Sequence, residues 1–196
     1  MRDSLKNTFI ALQSGNYRRY FVANSISSLG TWMQRLGMSW LVYRITDSAG
    51  WLGVITFFSW FSSFLLMPWA GAILDSGPRR KILSASQLLG FSQAMFLAIM
   101  TQTGYITVYW LLFLSVMLGF VNAFDMPGRH SFISDMVEDK KMLANAIALN
   151  SISFNLARLV GPALAGIVVA ALGEAPCFLM NSLSFLPMAW VLFRMK

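Results

Sequence analysis

Two long stretches, Trp51 to Leu74 and Ile82 to Val121, contain no charged residue, and between them lies Asp75-Ser-Gly77-Pro-Arg79-Arg80-Lys81. Apolar runs of this length match the hydrocarbon core of a bilayer, so each is read as membrane-spanning. The break reads as a turn at the membrane surface. Gly77 can take φ > 0, Pro78 cannot donate to a helix ladder, and the three cations belong in water or among headgroups. The rest of the composition agrees: 57% of the 196 residues are hydrophobic and 12% charged, which marks an all-α integral membrane protein. The net charge of +7 does not indicate nucleic acid, because the cations sit in short clusters between apolar runs and form no solvated face. One cysteine, Cys177, permits no internal disulfide and reads as a packing residue. The first apolar run is too long for a signal peptide and lacks a small-residue cleavage site, so no removed leader is expected.

Six spans are expected, at residues 20–43, 51–74, 82–100, 106–124, 143–172 and 176–193. The first, about 24 residues or ~36 Å, exceeds a ~30 Å hydrocarbon core and allows some tilt. Residues 1–19 place Leu5, Phe9 and Leu12 at helical spacing among Lys6, Arg18 and Arg19. They read as a basic amphipathic tail on the cytoplasmic surface or as a disordered one. Pro127 and Gly128 are expected to stop the fourth span, leaving 75–81 and 125–142 as cytoplasmic loops, with Asp135 and Glu138 starting a short surface helix.

The cations set the orientation. With both termini inside, twelve of the fifteen Lys and Arg fall on inner segments, and Arg44 alone falls outside, the bias expected of a multi-pass protein with cytoplasmic ends. The remaining two, Arg35 and Arg158, lie within spans about 21 to 23 Å from the inner surface. An arginine there costs at least ~2.5 kcal/mol and needs a partner or a wet cavity. Asn24, Ser28, Thr31 and Arg35 recur at steps of four, three and four and form one stripe of the first helix, with Gln34 beside it. Ser151, Asn155, Arg158 and Pro162 share a face of the fifth. Asn122, Asn181, Ser184 and Gln93 are further cavity candidates or interhelical hydrogen-bond partners. No carboxylate is expected at that depth, Asp75 and Asp125 being placed at inner helix ends. The two arginines therefore suit a substrate with acidic or phenolate oxygens, or carboxylates on helices outside this chain. His130, placed in an inner loop, is too far from any intramembrane serine to form a dyad, and neither a metal-ligand cluster nor a nucleotide loop is present in the sequence, so enzymatic function is not expected.

The pattern Gly71-x-x-x-Asp75-x-Gly77-x-Arg79-Arg80-Lys81 resembles the signature loop between helices 2 and 3 of the major facilitator superfamily. That resemblance implies a gating latch: Asp75 as the latch carboxylate, Arg79 and Arg80 as its partners, Gly71 and Gly77 as close-approach positions. Asn16-Tyr-Arg-Arg-Tyr-Phe21, Gly30-Thr-Trp-Met-Gln34-Arg35, Asp125-Met-Pro-Gly-Arg129 and Asn155-Leu-Ala-Arg158-Leu-Val-Gly161-Pro162-Ala-Leu-Ala-Gly166 are similar to the enterobactin-exporter-like and macrolide-efflux-like branch. Asp125 and Arg129 fall at the inner end of helix 4. Gly161, Pro162 and Gly166 match a helix-kink and packing motif that in drug/proton antiporters faces the opposite half. The fourth span lacks the buried arginine that many proton antiporters carry near its centre.

The resemblance implies an exporter of small molecules, of siderophore or drug type, in the bacterial cytoplasmic (inner) membrane. It would use the proton gradient and alternating access, with no cofactor. Arg35, Arg158, Asn24, Ser28, Thr31, Gln34, Asn122 and Asn155 would line the cavity. The superfamily has twelve spans in two halves, and this chain matches the N-terminal six. A fragment of a longer chain, a split partner, a homodimer or a half-domain on its own would each account for that. Expected partners are a small-molecule substrate, the lipid bilayer and the missing six-helix half, and not nucleic acid. A six-span scaffold that transports nothing is the alternative.

Overall fold

The computed structural model describes residues 10–137 and 140–194. Most of the proposed amphipathic tail, including Leu5, Lys6 and Phe9, lies outside the described residues, as does Glu138. Ile10–Gln13 make one turn of 3-10 helix. Six long helices follow: α1 Gly15–Thr46, α2 Ala49–Ser76, α3 Arg79–Gln102, α4 Val108–Met136, α5 Lys140–Leu172 and α6 Ala175–Arg194. Five of them, α2 to α6, are long and apolar enough to cross a membrane. Helix α1 has the length, but Asn24, Ser25, Ser27, Ser28, Thr31, Gln34 and Arg35 dilute its hydropathy.

Three boundaries differ from the sequence reading. Helix α1 begins at Gly15 behind the N-cap Ser14, whose hydroxyl accepts from the Tyr17 amide, so Arg18 and Arg19 belong to the helix and not to a tail. At its other end α1 includes Arg44 and stops at Asp47, which takes φ 45° and donates its N–H to the Tyr43 carbonyl. Arg44 grips Glu174 at 2.7 and 3.1 Å, tying the α1–α2 turn to the α5–α6 turn. The largest difference is α4, which passes through Pro127 and Gly128 and ends at Met136. A proline inside a helix forfeits one backbone hydrogen bond and crowds the preceding turn. Here packing outweighs that local penalty, since Phe132 and Ile133 beyond it are buried in the core with Tyr20 and Leu83. The expected 125–142 loop is therefore mostly helix.

Gly77 makes no use of the positive φ open to it. It closes α2 at φ −106° and ψ 175°, an extended conformation open to any residue. What excludes a side chain is space: a Cβ there would lie 2.7 Å from the Ile73 carbonyl oxygen.

Most of the large helix contacts join helices that are not consecutive in the chain. Helix α1 packs on α5 and α6, α2 on α4, and α3 on both α4 and α6, while α2 and α3 barely touch despite the tight turn between them. The contact of α1 with α5 depends on Gly161, where a Cβ would come within 2.7 Å of Trp32 Cβ and 3.3 Å of the Leu29 carbonyl. The expected motif partner Gly166 has nothing within 4 Å of that position. Five residues on a helix turn through about 500°, so Gly161 and Gly166 lie on different faces. Gly161 thus packs inside this bundle.

Replacing Gly161 by Ala is expected to destabilise the protein by about 1–3 kcal/mol through overpacking. Gly166→Ala should stay within about 0.5 kcal/mol of the parent. Unfolding in detergent, followed by circular dichroism, compares the two.

Candidate functional site

The polar stripe of α1 faces a cavity of ≈ 400 Å³. Asn24, Ser28, Thr31 and Arg35 supply one wall, Asn122, Asp125, Arg129 and His130 of α4 a second, and Asn150, Phe154 and Arg158 of α5 a third, with Trp32 and Trp60 at one end. The long α4 makes this possible. Asp125 and Arg129, read as an inner helix end and loop, lie one turn apart on a continuous helix with His130 next in the chain, and all three line the cavity.

Arg129 is the centre of the polar wall. Its Nε lies 2.7 Å from Asp125 Oδ2, an ion pair across one helical turn. Its Nη1 donates to Asn24 Oδ1, and its Nη2 donates to Ser27 Oγ at 3.0 Å and Gln87 Oε1 at 3.3 Å. Gln87 Nε2 in turn donates to Asp125 Oδ1, and Asn24 Nδ2 to Asn150 Oδ1 at 2.6 Å. The Tyr20 hydroxyl donates to the Arg129 carbonyl at 3.3 Å. One guanidinium–carboxylate pair therefore joins α1, α3 and α4, and through Asn24 reaches α5. Removing a charge from water costs several kcal/mol, and such a pair is tolerated only when its remaining donors and acceptors are also bonded.

Arg35 is held differently. Its guanidinium carbon lies 4.8 Å from the ring centroids of both Trp32 and Trp60, and that of Arg158 lies 5.8 Å from Trp32. Among the described residues neither arginine has an ion pair. Indole faces supply negative potential without a net charge, which leaves both cations free to meet an anion.

Two expected lining residues are elsewhere. Gln34 is fully buried, donating to Gln93 Oε1 at 3.0 Å and accepting from Asn181 Nδ2 at 2.7 Å, while Gln93 donates to the Leu114 carbonyl at 3.1 Å. This second knot ties α1 to α3, α4 and α6; Gln34 sits about 100° around the helix from Arg35. Asn155 is exposed and bonds its own helix at the Ser151 carbonyl, 2.8 Å away. The cavity edge of α5 runs one residue back, through Asn150, Phe154 and Arg158, because Ala146, Ser153, Ala157 and Gly161 set the buried face. The turn between α2 and α3 lies apart from the cavity. There Asp75 is largely exposed with Arg79 Nη2 at 3.7 Å, and Arg79 Nε donates to the Leu74 carbonyl at 3.1 Å. Arg80 instead donates to the Leu192 and Phe193 carbonyls, capping the end of α6. A Cβ added at Gly71 would have nothing within 4 Å, so this glycine makes no close approach in the bundle.

Sequence reading missed Asn150, Gln87, Trp32 and Trp60 as members of the site. The available signal was the spacing of Asp125 and Arg129, four residues apart and hence adjacent on any helix that continues through Pro127. Among the described residues no three of His, Cys, Asp and Glu gather as a metal site. The chemistry on offer is recognition of a polar or charged small molecule by guanidinium, amide, hydroxyl and indole groups.

Comparison with known proteins agrees in kind. The family model of transmembrane secretion effectors matches residues 6–196. The staphyloferrin A transporter of Staphylococcus aureus is 27% identical over 179 residues, which is 87% of this chain and 45% of that protein. The chain thus spans less than half the length of this relative. No solved structure matches it.

Substituting Arg129 by Met strands Asp125 in a poorly solvated wall and is expected to cost about 3–5 kcal/mol. Adding Asp125→Asn should recover much of that loss, because the amide needs no counter-charge. Unfolding midpoints of the single and double variants test the coupling.

Proposed function

Because the chain belongs to the transmembrane secretion effector family of the major facilitator superfamily, we propose that it forms the N-terminal half of a proton-driven exporter of small molecules that works by alternating access. The observation that carries this reading is the cavity itself: a polar chamber with three arginines on its wall, enclosed by helices whose outer faces are apolar. A bundle that only spanned the bilayer would have no use for that arrangement, since each buried cation lowers its stability. In this reading both termini lie in the cytoplasm of a bacterium and the α2–α3 turn faces inward, following the distribution of cations.

The length relation to the staphyloferrin A transporter supports a second six-helix unit that closes the open side of the cavity. Helices α2 and α5 are the least buried of the five apolar helices, and they are the surfaces on which that unit would rest. Asp75 and Arg79 form the latch of the inner turn. Asp125 is the carboxylate on the cavity wall, held there by its ion pair with Arg129 at 2.7 Å. Substrates of siderophore or drug type fit a chamber that combines aromatic and cationic walls.

Uptake into inverted membrane vesicles energised by a proton gradient tests the proposal, using staphyloferrin A and ethidium as probes. Introduced into a full-length version that carries both six-helix halves, Arg35→Ala and Asp75→Asn are each expected to insert at normal levels and to lose about tenfold or more of the energised uptake, equivalent to ~1.4 kcal/mol. Unchanged uptake in both would overturn the assignment, and no uptake by the full-length parent would favour a scaffold role.

A further inference from the structure

A second cavity of ≈ 240 Å³ lies beside the first, walled by α1, α2 and α4. Three residues line both: Trp32, Arg35 and Trp60. Along α1 the larger cavity is bounded by Asn24, Ser28 and Thr31, and the smaller one by Met38, Ser39 and Val42. The shared residues therefore stand where one chamber ends and the other begins. There the Arg35 guanidinium lies over both indoles, 4.8 Å from each centroid, so the cation and the two rings stack into one cluster at the boundary.

We propose that this stack is a gate between the two cavities and that an organic di- or tricarboxylate opens it. The proposal deepens the transport reading and rests on it for its purpose. A guanidinium held only by ring faces has all its N–H donors available for a stronger partner, and a carboxylate taking two of them in parallel is that partner. Arg158 lines the larger cavity and lies 5.8 Å from the Trp32 centroid, so it offers a second carboxylate a site beside the first. The charge balance agrees. The larger cavity carries three guanidiniums and one carboxylate, and that carboxylate, Asp125, is already bonded by Arg129 and Gln87. Two positive charges remain to be met. An anion seated between Arg35 and Arg158 draws Arg35 away from Trp60, whose side chain is packed on few neighbours and is 53% exposed. The seal then opens on the α2 side while Trp32 stays anchored against Phe154, 5.9 Å between ring centroids.

Side-selective thiol labelling of the full chain in liposomes tests this without any transport measurement. On a Cys177→Ser background, Ser28→Cys reports the larger cavity and Thr56→Cys the smaller. A membrane-impermeant maleimide is applied to each face in turn. The two cysteines are expected to react from opposite faces, each with about a tenfold preference, the population ratio that ~1.4 kcal/mol maintains. Arg35→Ala, and separately Trp60→Ala, should abolish the preference. Arg35→Lys should weaken it with the charge retained, because an ammonium cannot stack as a plane. Citrate should reduce the preference in the parent and have no effect in Arg35→Ala, whereas tetraethylammonium at equal concentration should have none in either. The gate is overturned if both cysteines label from the same face, or if Arg35→Ala and Trp60→Ala keep the parent pattern. Opening by carboxylates is overturned if citrate is without effect or tetraethylammonium matches it. Failure of energised uptake in vesicles would remove the exporter reading while leaving these labelling results to stand or fall separately.

Discussion

The bundle depends on keeping one guanidinium satisfied. Arg129 donates to groups on α1 and α3, pairs with Asp125 on its own helix, and has its carbonyl bonded by Tyr20. In a low-dielectric interior each of these groups would be costly alone, and together they fix how four helices meet. The Gln34–Gln93–Asn181 knot performs the same service further along α1, at 2.7 and 3.0 Å. Lipid tails are as apolar as leucine, so helix association inside a bilayer relies on such bonds and on close packing at small residues. Both devices converge on α1, which packs chiefly on α5 and α6 and is tied to α3 and α4 by these bonds.

The cavity follows from the same economy. Arg129 and Asp125 consume each other's charge, whereas Arg35 and Arg158 are supported only by indole faces. The wall therefore presents a neutralised, rigid end and a cationic, exchangeable end. The proposed substrate recognition and gating are both assigned to the second, since a group already saturated with hydrogen bonds gains little from a newcomer. The secretion effector family and the relative that transports a siderophore are consistent with a chamber built in this way.

Much of this was legible before the fold was known. The stripe Asn24, Ser28, Thr31 and Arg35 obeys helical spacing, and the cavity lies along it. Asn155 failed the same reasoning because a polar residue near the buried face of a helix can bond its own backbone, as it does with the Ser151 carbonyl. The end of α4 was misread because Pro127 and Gly128 are local stop signals, and local signals yield to the burial of Phe132 and Ile133 beyond them. That single misreading kept Asp125, Arg129 and His130 out of the expected cavity lining.

By itself the sequence determined that this is a helical membrane protein with arginines at positions 35 and 158 inside long apolar runs, because such runs and the cations that interrupt them are facts of the chain that no packing can alter. Only the tertiary structure decided which groups meet. Trp60 faces Arg35 and Gln87 faces Asp125 across different helices. Such pairings depend on how each helix is rotated against its neighbours, a quantity set by Gly161 against Trp32 and by the Arg129 bonds, and not by any periodicity within one helix.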